Sequence, residues 1–362
     1  MRSAPCAHGS VVGMKFRPLL FAVLFAAAAC STSDRPIDLA PPVAGTPPPG
    51  TSAERFGDEI MVCGKLIHTG APVVLWTDPG GYDAYRVTRR FTPNETRPSS
   101  PEKGADTPNR YGVRPMDALD AAEKKAVADR GWDIPELAKV VRAFVMHYDV
   151  CGTSRQCFKI LQDVRGLSVH FMLDLDGTIY QTLDLKERAR HSGPGNDYTV
   201  GIEIAHIGAY APDNPKEAKV LDDWYRKGDS GRMRVVVPKW LGGDMSQRTP
   251  NFVARPSRED AVVGTVHGRR LKQYDFTEAQ YRSLARLTAA LCTVFPEMKP
   301  EVPRNADGSV RSDALTPTEL AAWGGLVAHW HLTSSKIDPG PAFDWDRLLT
   351  AVKALMARGP RS

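Results

Sequence analysis

Residues 143–182, AFVMHYDVCGTSRQCFKILQDVRGLSVHFMLDLDGTIYQT, carry the alternation that decides the fold class. The apolar run 143–148 reads as a buried strand. Its continuation predicts a helix over 154–164, a strand over 168–174, a turn at Asp176-Gly177 and a strand over 178–182. TVGIEIA predicts a further strand over 199–205. Strands alternating with helices must pack as a sheet with helices on its faces. The expected class is therefore α/β, with a mixed central β-sheet flanked by helices.

Working upstream, helices are expected at 119–130 and 135–142. The region 54–118 reads as β-rich, because LIHTGAPVVLWTDPGGYDAY (66–85) breaks short apolar runs with the turn signal DPGG. Downstream, 208–262 is polar and irregular, with a helix expected over 216–227. TEAQYRSLARLTAALCTVF (277–295) predicts an amphipathic helix: Thr277 and Gln280 have capping-box spacing, and Tyr281, Leu284, Leu287, Leu291 and Phe295 share a face. A short helix near 317–323, a strand over 325–329 and a final helix over 343–357 complete the pattern. There is no internal repeat.

The chain ends carry different information. MKFRPLLFAVLFAAAAC (14–30) joins a basic pair, Lys15 and Arg17, to an apolar run too short to span a bilayer comfortably. It reads as a signal peptide starting at Met14. Cys30 follows small residues and resembles the lipidation site of a bacterial lipoprotein, although Ala27 stands where leucine is usual. Residues 31–53 are rich in Pro, Thr, Ser and Gly and read as a linker. The expected domains are thus a leader at 1–30, a linker at 31–53, an N-terminal extension at 54–138 and a main domain at 139–358 with an insertion at 208–262. Expected localisation is the periplasmic face of a bacterial outer membrane through a lipid on Cys30, or the soluble periplasm; either compartment is oxidising. With 25% charged residues, a formal charge of +5 and no dense Lys/Arg block, the composition does not favour nucleic acid as a partner. A monomer is expected.

Two of the nine histidines close apolar strands: His147 in AFVMHYD and His329 in GGLVAHW. Asp338 follows in KIDPGP. Two imidazoles and one carboxylate make an open zinc site, leaving a position for water. His331 is a rival to His329, since on one strand the two would face the same side; His329 is favoured because it closes the apolar run. Glu203 stands between Ile202 and Ile204 and points away from their face, where a lone carboxylate requires a partner or a task.

Four ordered stretches, AFVMHYDVCGTSRQC, LSVHFMLDLDGTIYQ, RARHSGPGNDYTVGIEI and LVAHWHLTSSKIDPGPAFDW, together resemble the amidase-2 family over roughly 140–207 and 264–350. That family includes peptidoglycan recognition proteins and muramoyl-alanine amidases. The resemblance implies zinc as cofactor, with His147, His329 and Asp338 as ligands. It implies Glu203 as general base and Lys336 as the cation stabilising the oxyanion. His191 and Asn196 would contact substrate, and His170 would be packed rather than metal-bound. Cys151 and Cys157 match a family disulfide; Cys63 and Cys292 are left open, as a pair or as buried thiols. The implied reaction is hydrolysis of the amide between N-acetylmuramic acid and L-alanine, on peptidoglycan or muropeptides. The rival readings are a non-catalytic peptidoglycan-binding lipoprotein and a zinc peptidase acting on the stem peptide. For the latter, the commonest sequence signature, HExxH, is absent.

Overall fold

Side chains on a strand alternate between faces, and the strand 143–148 uses both. Phe144, Met146 and Tyr148 enter the main hydrophobic core, while Val145 packs in a second cluster on the opposite face, the face that also carries His147. This two-sided burial is what a central strand requires. The computed structural model describes residues 35–39, 49–51, 54–85, 110–241 and 247–357. The expected leader, with Cys30, lies outside the described residues.

In chain order, β1 (Glu59–Val62) and β2 (Lys65–His68) form a hairpin, followed by β3 (Val73–Leu75), β4 (Tyr111–Val113), α1 (Ala121–Arg130) and α2 (Ile134–Val140). Next come β5 (Ala143–Tyr148), α3 (Ser154–Lys159), β6 (Phe171–Leu173), β7 (Ile179–Gln181), β8 (Glu187–Ala189) and β9 (Thr199–Ile204). The insertion supplies α4 (Pro215–Trp224), β10 (Tyr225–Lys227) and β11 (Met233–Val235), with β12 (Val262–Val266) and β13 (Arg269–Gln273) after it. The chain closes with α5 (Glu278–Val294), α6 (Pro317–Ala322), β14 (Gly325–Ala328), α7 (His329–Leu332) and α8 (Trp345–Ala357).

Six strands make one mixed sheet in the order β14-β5-β9-β6-β7-β3. Only β6 and β7 run antiparallel, joined through the Asp176-Gly177 turn. One face of this sheet meets α5 and α8 in the main core; on the other, Phe158 and Leu161 cover Val74, Met172 and Tyr180. Helix α5 begins as its capping box dictates: Thr277 Oγ1 accepts from the Gln280 amide, and Gln280 Oε1 accepts from the Thr277 amide. Gln280 Nε2 also donates to the Ala205 carbonyl, tying the helix start to the end of β9.

The N-terminal extension is part of this architecture, since β3 forms the sheet edge, β4 pairs with β8, and Ile60, Val62 and Ile67 join the main core. The linker is not a free tether throughout. Ile37 is buried, and Arg347, Arg282 and Arg286 donate to the backbone carbonyls of Arg35, Asp38 and Leu39. Pro-rich composition hid this docking, because side chains elsewhere in the chain satisfy its backbone.

Three further boundaries differ from expectation. The helix over 154–164 is α-helical only to Lys159 and continues as a π-helical turn, Ile160–Arg165, before Gly166 takes a left-handed conformation. The helix expected over 216–227 stops at Trp224, and Tyr225–Lys227 pair with β11 instead. The strand expected over 325–329 stops at Ala328, and His329 opens a short helix. Pairing with β11 decides the second of these boundaries over local propensity.

The insertion buttresses the loop after β5. Gly152 has φ +75°, and a Cβ there would fall 2.3 Å from the Trp224 ring. Gly152→Ala should therefore cost on the order of 2 kcal/mol through strain and overpacking. Thermal unfolding checks this; an unchanged midpoint would remove Trp224 as the support of that loop.

Candidate active site

Parallel pairing places His147 of β5 directly beside Glu203 of β9, and Ala328 of β14 beside Met146. The register brings His147 and Glu203 onto one face, and the turn into α7 swings His329 against His147. His147 Nδ1 lies 2.9 Å from His329 Nδ1 and 3.0 Å from Asp338 Oδ2, and His329 Nδ1 lies 2.9 Å from the same carboxylate oxygen. Two nitrogens and one oxygen thus converge in a triangle, and all three residues are buried. This donor set fits zinc.

The electrostatics suit a cation. Burial, and next the neighbouring His329, push the His147 imidazole down to about 4, which keeps it neutral and able to coordinate. Burial opposes ionisation of Asp338, but the facing His329 and the close contacts with both imidazoles hold it below the usual carboxylate value. Burial, then the Asp338 and Asp149 carboxylates, raise Glu203 well above its ordinary value. Its Oε2 is buried and has no hydrogen-bond partner among the described residues.

These residues border a cleft of about 480 Å³. Lys336 reaches it from the exposed loop before Asp338, and Arg165 and Arg190 line it as well. The two arginines and Asp149 were not singled out in the sequence. Asp149 stands two residues after His147 and accepts from the Cys151, Gly152 and His206 amides, joining the loop after β5 to the end of β9. Its carboxylate in a polar loop had no periodic signal to mark it.

His331 is drawn away from the triangle: its Nδ1 accepts from the Ala328 amide, and its Nε2 bonds the Arg311 carbonyl. The two histidines do not share a strand face because the strand has already ended. His191 lines the cleft and lies 3.0 Å from His147 through Nδ1. Asn196 lies in the following turn, where its Oδ1 accepts from the His191 and Ser192 amides. His170 is fully buried, accepting from the Gly201 amide and bonding the Glu187 carbonyl. Cys151 and Cys157, the expected disulfide pair, stand together at the cleft. Both are free thiols in side-chain contact, and burial holds the Cys157 thiol well above its ordinary value and therefore protonated. Cys63 and Cys292 are free as well.

Two buried histidines and a carboxylate beside a glutamate with an unpartnered oxygen form a donor group on an α/β sheet that could hold a metal ion. Residues 137–228 match the family model Amidase_2, described as N-acetylmuramoyl-L-alanine amidase. His147, His191 and Glu203 fall within the match; His329, Lys336 and Asp338 lie beyond it. A solved structure described as "crystal structure of Se-Met AmpD derivative" is 16% identical, with a TM-score of 0.29, covering 74% of this chain and 97% of that one. No curated protein matches the chain.

The two histidines separate experimentally. His329→Ala should reduce bound zinc to background, while His331→Ala should keep the metal and lose stability by about 1–3 kcal/mol from its two buried bonds. Metal content by mass spectrometry, with thermal unfolding, checks both; loss of zinc only in His331→Ala would reverse the assignment.

Proposed function

We propose that the protein hydrolyses the amide between N-acetylmuramic acid and L-alanine in peptidoglycan, as a zinc-dependent N-acetylmuramoyl-L-alanine amidase. The observation that carries this reading is the pairing of His147 with Glu203, which sets an unpartnered carboxylate beside a buried triangle of metal donors. His147, His329 and Asp338 would hold the zinc. When bound, it supplies Lewis acidity, polarising a carbonyl and acidifying water.

The chain's own groups do the rest. Glu203, made basic by burial, takes the proton from the attacking water as its oxygen bonds to the lactyl carbonyl carbon. Lys336, at the cleft, faces the negative charge that develops on the carbonyl oxygen. As the C–N bond breaks, Glu203 passes the proton to the departing alanine nitrogen. The products are a muramic acid carboxylate and a stem peptide with a free amino terminus. Arg165 and Arg190 give the cleft wall a positive character suited to a substrate rich in carboxylates.

In this reading the protein is exported and anchored through a lipid on Cys30, acting in the periplasm as a monomer. The docked segment 35–39 then holds the domain near its anchor, with four residues, 31–34, between them.

Glu203→Gln should lower kcat by about 10²–10⁴-fold while leaving zinc bound. Lys336→Met should lower it by about 10²–10³-fold. Mass spectrometry of muropeptides digested with and without chelator checks the chemistry. Free alanine amino termini that vanish with chelator are expected; shortened stems would make the protein a peptidase, and intact muropeptides with retained binding would make it a non-catalytic wall binder.

A further inference from the structure

The face of His147 turned away from the zinc donors is held by a hydrogen-bond chain with only one consistent direction. His147 Nε2 lies 3.0 Å from His191 Nδ1. His191 Nε2 lies 3.3 Å from Thr199 Oγ1, and Thr199 Oγ1 donates at 2.9 Å to the Gly195 carbonyl oxygen. A carbonyl oxygen can only accept, and a hydroxyl has a single proton. Thr199 commits that proton to the shorter bond, so it must accept from His191 Nε2. His191 then carries its proton on Nε2 and presents a bare Nδ1. His147 must therefore donate from Nε2, which leaves its Nδ1 lone pair bare toward His329 and Asp338. Ser192 does not disturb this order: its hydroxyl proton goes to Asn196 Oδ1 at 3.2 Å, and its contact with Thr199 is longer, at 3.4 Å.

We propose that His191 is a positioning residue for the metal centre: the relay from Gly195 through Thr199 and His191 presets His147 as the Nε2–H tautomer, with Nδ1 free to coordinate. This rests on the zinc reading above and extends it to residues outside the ligand set. The strand is shaped for the relay, because Gly201 of β9 leaves room for the ring. A Cβ at Gly201 would fall 2.3 Å from His191 Nδ1. The ring stands nearly edge-on to its partner, at 86° to the His147 plane. Partners that orient a metal-bound imidazole in this way are worth about 10–100-fold in metal affinity.

The test uses the full-length protein with isotope-labelled histidine, in both metal-free and zinc-titrated states. Long-range proton–nitrogen spectra of the metal-free protein read the His147 tautomer directly, with His147→Gln assigning the signal. Wild type should show Nε2–H, and Thr199→Val a mixture of tautomers. Zinc affinity, read by competition with a chromophoric chelator, should fall about tenfold in Thr199→Val and about 10–100-fold in His191→Leu. His191→Asn places an acceptor oxygen where Nδ1 stood and should recover most of the loss; a merely space-filling role would not respond to it. Thermal midpoints of the metal-free variants separate folding from tautomer control, and Thr199→Val carries the test should His191→Leu not fold. Nδ1–H at His147 in metal-free wild type overturns the proposal, as does zinc affinity within twofold of wild type in Thr199→Val. A wild type that binds zinc through this relay but leaves muropeptides uncut overturns the amidase reading alone.

Discussion

The register between β5 and β9 is the constraint on which the rest depends. A one-residue slip would turn His147 or Glu203 into the opposite core and send an apolar side chain to the cleft. That slip is prevented from the other face, where Phe144, Met146 and Tyr148 interlock with Val200, Ile202 and Ile204 against α5 and α8. Packing that carries no chemistry thus fixes the spacing of the groups that do. The same register supplies the room for His191, because the glycine on β9 falls on the face that His147 shares.

The site gathers groups that would each be costly to bury alone. Two imidazoles, one aspartate and one glutamate share the cleft. Burial drives the His147 imidazole toward the neutral form and raises the proton affinity of Glu203, while Asp338 is held ionised by the imidazoles that face it. The balance suits a cation between the three donors and a base beside them. Clusters of buried titratable groups of this kind are common where chemistry is done.

The segments added around the central sheet serve it structurally. The hairpin β1–β2 and strand β3 extend the core and close the sheet edge, and Asp176 joins the β6–β7 turn to the insertion through the Thr249 amide. Trp224 of the insertion lies under Gly152 and supports the loop that Asp149 organises beside His147. Residues far apart in the chain therefore set the shape of one cleft wall.

The sequence by itself determined the strand–helix alternation, the capped amphipathic α5, and the candidate residues at strand ends, because each of these leaves a periodic or local signal. His147 and Glu203 were legible as residues out of place in apolar strands. What only the tertiary structure decided was partnership and direction. His329 separates from His331 because β14 stops one residue earlier than its apolar run suggests, and backbone amides and carbonyls then claim His331. His191 turns toward His147 rather than only toward substrate space, and residues 35–39 dock despite their Pro-rich setting. Such contacts join positions distant along the chain, and pairing across that distance has no periodicity for a sequence to display.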